Sequence, residues 1–190
     1  MTTVLRLDHV TKAFGPVKVI QDVSVDVIPD RVRVLLGENG AGKSTLIKMM
    51  SGIYHPDSGS VVIDDTPVEL PTVKAAEARG IATIHQELNL VPQMSVAENI
   101  MLGRTPSRGG LVNWGLMRAQ ARAALERIGL DVSPDRLVGS LSTAHQQLVE
   151  IARALSMDAR VLILDEPTAA LTRKESGQLF EVMDDLKTKG

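Results

Sequence analysis

Val23, Val25 and Val27 alternate with Ser24 and Asp26, the two-residue period of a half-buried strand, and Pro29-Asp30 then supplies a turn. The apolar run Val32 to Leu36 follows and is predicted to be a buried strand leading into a glycine-rich segment. Beyond that segment, Leu46 to Met50 predicts a helix stopped by Gly52, and Pro56 to Gly59 a loop before a strand over Ser60 to Asp64. The first third therefore reads as a hairpin-rich β layer carrying one helix.

The middle of the chain changes period. Thr72 to Arg79 predicts a short helix ended by Gly80, Ile81 to Ile84 a buried strand, and Val96 to Leu102 and Trp114 to Ile128 helical stretches. Thr105 to Gly110, rich in Pro, Ser and Gly, reads as a flexible connection rather than a domain boundary, because helical pattern resumes directly after it. Leu148, Ile151, Ala152 and Leu155 recur at helical spacing, as do Leu179, Val182, Met183 and Leu186. Between these two helices Val161 to Leu164 is apolar on both faces, as a buried parallel strand must be. Strands alternating with helices predict an α/β fold with right-handed crossovers, and no internal repeat interrupts the pattern.

Composition narrows the function classes. With 190 residues, the chain can bury one sizeable core. A formal net charge of −2 argues against a broadly basic surface that follows a nucleic-acid backbone, so nucleic acid is not an expected partner. The absence of cysteine removes disulfides and thiolate metal sites and fits a reducing compartment. Met1 to His9 lacks the apolar stretch of an export signal, and no uncharged run reaches the roughly 18 residues of a membrane span, so a membrane role would be peripheral.

The strongest chemical signal is Gly37-Glu38-Asn39-Gly40-Ala41-Gly42-Lys43-Ser44, which fits GxxxxGK[ST] between a predicted strand and a predicted helix. Glycines let the backbone curl until successive N–H groups face one anion, and the helix dipole beyond favours negative charge. Phosphate is the natural guest. Lys43 is placed to neutralise β- and γ-phosphates and Ser44 to ligate the Mg²⁺ bridging them, with Thr45 in support. An ordinary glycine turn feeding a helix is the bland alternative, and the flanking pattern argues against it.

Asp165 and Glu166 follow the predicted strand Val161 to Leu164, which puts two carboxylates at the carboxyl edge of a parallel sheet, where α/β proteins bind ligands. Asp165 is the candidate to hold Mg²⁺ or its water. Glu166 is the candidate general base for an attacking water. Asp-Glu-Pro is by itself a common polar turn; the upstream cradle gives it meaning.

These residues resemble the ATP-binding cassette family, whose pattern also has a glutamine after a strand, a Leu-Ser motif opening a helix, and Asp-Glu-Pro-Thr. Gln86, Leu141-Ser142-Thr143-Ala144-His145 and Asp165-Glu166-Pro167-Thr168 stand in that order here. The resemblance implies a P-loop NTPase core with a mostly parallel sheet, an N-terminal antiparallel β subdomain and a helical subdomain over about 87–157, in one incomplete nucleotide-binding domain. It implies that Gln86 senses Mg²⁺ and the attacking water while residues 86–102 face a membrane partner. It also implies that Phe14 stacks on adenine, with a core Phe as the close alternative at that position, and that Ser142 and Ala144 close over ATP held by a second nucleotide-binding domain.

Ile84 to Leu90, Ser95 to Ile100, Gln146 to Arg153 and Asp165 to Thr172 resemble the monosaccharide-import subgroup. That resemblance implies ATP hydrolysis coupled to sugar import, with transmembrane permease subunits, an indirect sugar-binding protein, and a place on the cytoplasmic face of the membrane. Thr143, Ala144 and His145 depart from the Gly-Gly-Gln portion of the family motif, and Ala144 adds a methyl where close backbone approach is expected. The family also expects a further strand ending in a histidine after the helix of 173–189. The chain's four histidines, His9, His55, His85 and His145, all precede Asp165 and read as surface or core residues. Two other readings stay open: a soluble, non-transport cassette ATPase, which would call for a basic arm that the sequence lacks, and an ATP-binding module without turnover.

Overall fold

The elements, in chain order, are β1 (Leu5–Phe14), β2 (Val17–Val27), α1 (Lys43–Met50), β3 (Ser58–Ile63), β4 (Thr66–Val68), α2 (Val73–Glu77), β5 (Ile81–Ile84), α3 (Val96–Ile100), β6 (Ser107–Arg108), β7 (Leu111–Val112), α4 (Trp114–Arg127), a 3₁₀ turn (Val138–Ser140), α5 (Thr143–Leu155), β8 (Val161–Leu164) and α6 (Arg173–Lys189). They come from a computed structural model that describes residues 3–38, 40–85, 88–168 and 171–189. The chain divides into two compact units, one of residues up to Thr83 with Ala159–Asp165, the other of Ile84–Asp158 with Glu166–Lys189.

In the first unit, the alternation of β1 sends Leu5 and Leu7 into the core, both fully buried. Val10, not residue 9, continues that face, because the register slips between Leu7↔Val25 and Val10↔Val23 and His9 takes a left-handed φ of 50°. The irregularity has a partner on the next strand. Gly59 of β3 sits at φ +82°, and a Cβ there would run into the carbonyl oxygens of Asp8 and His9, so only glycine lets β3 lie alongside the bulge. The antiparallel sheet runs β2-β1-β3-β4.

Against it packs α1, which contributes Leu46, Ile47, Met49 and Met50 to a core shared with Val61, Ile63, Ile81, Val161 and Ile163. Each such side chain is worth about 1.5–3 kcal/mol of burial. β5 and β8 form a second sheet. The Gly80 carbonyl accepts from the N–H of both Arg160 (2.8 Å) and Val161 (3.0 Å), so the two strands start side by side and run parallel. Arg160 closes a bidentate pair on Asp64, 2.8 Å on each arm, and this guanidinium holds the Asp64 carboxyl below its ordinary range.

One expectation fails here. Val32 to Leu36 is no strand: residues 31–38 carry no regular structure, and Val32, Val34 and Leu36 are 51%, 64% and 89% exposed. A run of apolar residues supplies the propensity for a strand, but a strand exists only through ladder hydrogen bonds to a neighbour. Among the described residues no sheet extends to this segment. A smaller correction concerns Thr105 to Gly110, where β6 pairs antiparallel with β7, Ser107 opposite Val112, so part of the expected connection is a short hairpin.

The second unit is built on α5, whose face of Leu148, Val149, Ile151, Ala152 and Leu155 is buried. α3 contributes Val96, Ala97 and Ile100, α4 contributes Met117, Ala121, Ala124 and Leu125, and α6 contributes Leu179. α3 is short yet well started. Ser95 accepts from the Glu98 N–H (3.2 Å) while Glu98 accepts from the Ser95 N–H (2.8 Å), a complete capping box. The fold is thus α/β, with an antiparallel N-terminal sheet, a parallel pair of strands and a group of helices, consistent with a P-loop NTPase.

Candidate functional site

The first unit holds Phe14, the described residues of the glycine segment, Lys43 to Thr45, and Asp165. The second holds Ser142, Ala144 and Glu166. Gln86 and Asn39, both expected at the site, lie outside the described residues.

The cradle begins where the apolar run ends. Gly40 and Gly42 take φ of 85° and 87°, a left-handed conformation that turns the chain sharply into α1. A Cβ on Gly42 would strike the Ile20 side chain and come within 3.2 Å of the Val19 carbonyl oxygen, so a glycine is required there by packing as well as by φ. The Ala41 N–H donates to the Glu38 carbonyl at 3.1 Å, and the N–H groups of Thr45 and Leu46 both donate to the Gly42 carbonyl at 3.0 Å.

Helix geometry leaves the first N–H groups of α1 with no intrahelical acceptor, and no side chain caps this end. No acidic residue in the first turn offsets the positive end of the helix dipole. Lys43 folds back over the loop, its Nζ donating to the carbonyls of Gly37 (2.5 Å) and Glu38 (2.9 Å). An ammonium, an uncapped helix end and two left-handed glycines are a donor set suited to a polyphosphate. Ser44 is exposed beside them, a hydroxyl open to a divalent cation. Asp165 leaves the carboxyl end of β8 partly buried.

Phe14 closes β1 and is 41% exposed. Its ring meets Tyr54 edge to face at 5.2 Å, with the Lys12 ammonium 5.8 Å from its centroid. Tyr54 is tied to the end of α1 through its N–H to the Lys48 carbonyl (3.0 Å). The ring is therefore neither a core residue nor free, and part of the residue stays exposed.

In the second unit, Ser142 caps α5, its hydroxyl accepting from the His145 N–H at 3.3 Å. Ala144 is 5% exposed. The residue expected to crowd an approaching ligand is thus buried as a whole. Glu166 is exposed and sits at φ 46°, a left-handed conformation that costs a non-glycine residue about 1–3 kcal/mol and recurs at functional sites.

Sequence reasoning passed over two polar residues that the structure places on core faces. Asn99 of α3 is fully buried, accepting from the Val91 N–H (2.8 Å) and donating to the Val91 carbonyl (3.0 Å). Glu150 of α5 is 7% exposed, and its Oε1 accepts from the Asn89 N–H at 2.5 Å. Burial, offset in part by that hydrogen bond and by Arg153, raises the Glu150 carboxyl above its ordinary pKa. A polar residue on the apolar stripe of a helix was the available signal for both.

A family model described as ABC transporter matches residues 20–169. The chain is 66% identical over 187 residues, 98% of its length, to the ribose import ATP-binding protein RbsA of Corynebacterium glutamicum. It is 52% identical, over 99% of its length, to a putative ribose/galactose/methyl galactoside import ATP-binding protein of Burkholderia ambifaria. It spans 36% of the length of each of these relatives. Among solved structures, MJ1267, an ATP-binding cassette of an ABC transporter, superposes with a TM-score of 0.87 at 29% identity, over 100% of this chain and 79% of that one. The cbiO1 protein of Clostridium perfringens, part of the ABC transporter complex cbiONQ, does so with a TM-score of 0.84 at 25% identity, over 100% and 75%. With the family model covering most of the chain, this chain belongs to the ABC transporter family.

Proposed function

We propose that this chain is the ATP-binding and ATP-hydrolysing part of a protein that energises import of a monosaccharide. The observation that carries this reading is the uncapped start of α1 with Lys43 turned into the glycine loop, a donor set that suits a polyphosphate, in a chain 66% identical to a ribose import ATP-binding protein. Residues 37–45 would hold the phosphates of ATP, with Lys43 leaving the Gly37 and Glu38 carbonyls for the β- and γ-oxygens. Ser44, Asp165 and Gln86 would hold Mg²⁺, which supplies charge neutralisation on the transferring phosphoryl group when bound. Glu166 would take the proton of the attacking water, and Phe14 would offer its ring to adenine.

In this reading residues 1–190 form one nucleotide-binding domain, with its helical subdomain at about 87–157. Its partners are a second nucleotide-binding domain, whose ATP the Ser142 end of α5 would cover, and transmembrane permease subunits served by a sugar-binding protein. The chain would work on the cytoplasmic face of the membrane as a peripheral subunit. Among the described residues no helix is long and apolar enough to cross a membrane. The test is Glu166→Gln in the full-length protein, which should keep ATP binding while lowering phosphate release and sugar uptake by about 10²-fold or more. Unchanged uptake would overturn the reading.

A second reading, nucleotide binding without turnover in the chain alone, is favoured by Thr143, Ala144 and His145, which stand where the family motif has Gly-Gly-Gln. Phosphate release from the chain by itself, at the rate of the full-length protein, would reject it.

A further inference from the structure

The segment between Leu88 and Ser95 has no regular structure except a turn, yet its backbone is held by side chains and by neighbouring backbone. Asn99 grips both polar groups of the Val91 peptide unit. The carbonyls of Pro92 and Met94 accept from Gly139 (2.9 Å) and Val138 (3.1 Å), in the turn just ahead of Leu141-Ser142. Asn89 receives the third grip, from α5 itself. Its N–H donates to Glu150 Oε1 at 2.5 Å and its carbonyl accepts from an Arg153 guanidinium nitrogen at 3.4 Å. Glu150 and Arg153 stand three apart on the helix, hence on one face, and so can hold the two ends of one residue's backbone. All of these residues belong to the second unit.

We propose that Glu150, seconded by Arg153, is a positioning residue that fixes the segment following Gln86 to the helix opened by Ser142. This rests on the import reading for its functional consequence, not for its geometry. A buried carboxylate is costly to keep on a helix's apolar face, and Glu150 Oε2 has no hydrogen-bond partner among the described residues. Packing alone would be served better by an aliphatic side chain. What Glu150 supplies is a strong acceptor from α5 for the N–H of Asn89, a residue that is itself exposed. With that bond made, a shift of α5 is carried to residues 88–91 without slack, and the same shift reaches Pro92 to Met94 through Val138 and Gly139. The second unit thereby links the family's nucleotide-covering motif at Ser142 to the stretch proposed to face the membrane partner.

The test uses the full-length protein and reads amide hydrogen exchange at Asn89 beside ATP turnover. Glu150→Ala should speed exchange at Asn89 about tenfold or more, the equivalent of losing one charge-assisted hydrogen bond. Glu150→Gln retains an oxygen acceptor and should restore protection to within about threefold of the unsubstituted protein. The KM for ATP should stay within about twofold in both variants, because the Lys43 cradle belongs to the other unit, while sugar-stimulated kcat falls about tenfold in Glu150→Ala and recovers in Glu150→Gln. If Glu150→Ala does not fold, Arg153→Ala removes the carbonyl grip alone and should speed exchange several-fold. Asn89 exchange that is unaffected by either variant overturns the proposal, as does loss of kcat that the glutamine does not rescue. Failure of the import reading would show separately, as an unsubstituted protein whose ATP turnover ignores sugar while Asn89 remains protected.

Discussion

Two helices of this protein start at motifs that the family reading assigns to ATP, and they start in opposite ways. α1 follows Gly42 at φ 87°, with no side chain over its first N–H groups. α5 follows Ser142 at φ −64°, in extended backbone, with the serine hydroxyl accepting from His145. Neither has an acid in its first turn, so both keep the positive end of the dipole uncompensated. The difference lies in which oxygen meets the third N–H of each helix. At α5 the Ser142 side chain accepts from His145, whereas at α1 the Gly42 carbonyl accepts from Thr45. Each helix keeps its first two N–H groups for a ligand, but only α1 has a cation beside them, with Lys43 on the Gly37 and Glu38 carbonyls.

The largest effect should come from giving α1 an ordinary entry. Gly42→Ala forces a Cβ into left-handed φ against the Ile20 side chain and the Val19 carbonyl, and should cost about 2–4 kcal/mol of stability. Gly40→Ala shares the left-handed φ, but its Cβ would meet nothing within 4 Å, so it should cost only the conformational part, about 1–2 kcal/mol. Denaturant unfolding of the two variants separates packing from backbone conformation. Equal losses would mean that the Ile20 contact is not what holds the loop's entry. Nucleotide titration should show the same ranking.

How far these starts were legible differs for a physical reason. The cradle's spacing is a local rule of backbone geometry, so Gly37 to Ser44 could be read directly, as could the cap at Ser142 and the strands Ile81–Ile84 and Val161–Leu164, which match the expected bounds. Val32 to Leu36 misled because a strand depends on a partner that its own residues do not encode. Asn99 and Glu150 went unread for the same kind of reason: their partners, Val91 and Asn89, are backbone groups of an irregular segment, and no spacing rule leads from a helix face to a loop's N–H. The burial of Ala144 was equally invisible, since the sequence shows an added methyl but not which way it faces.

A smaller effect should separate cap from ligand at α5. Ser142→Ala removes the acceptor for the His145 N–H and should lower stability by about 1 kcal/mol, whereas Ser142→Gly should cost only a few tenths. If Ser142 serves the nucleotide of a facing domain as well, both variants should lower ATP turnover of the full-length protein alike, despite their unequal stabilities. Turnover that follows stability instead would reduce Ser142 to its capping role.

The smallest effect is a pH dependence that α3 should show and the other two starts should lack. Only α3 carries an acid in its first turn among these three helices, and the hydrogen bonds from Ser95 hold the Glu98 carboxyl below its ordinary value of 4.5. A carboxyl whose pKa is depressed in the folded state binds fewer protons there than in the unfolded chain, so its contribution is complete above the unfolded pKa. It is lost as pH falls from about that value through the folded one. The proton then blocks the acceptor that Ser95 uses, and the capping box is reduced to the serine alone, the arrangement α5 already has. Glu98→Gln should therefore remove part of the acid-side slope of unfolding free energy against pH while costing at most about 1 kcal/mol near neutrality. The same slope should survive in Ser142→Ala, because no acid stands in the first turn of that helix. A slope unchanged by Glu98→Gln would place the protein's acid sensitivity elsewhere, with the Asp57 pair to Lys12 and the Ala13 N–H as the next place to look.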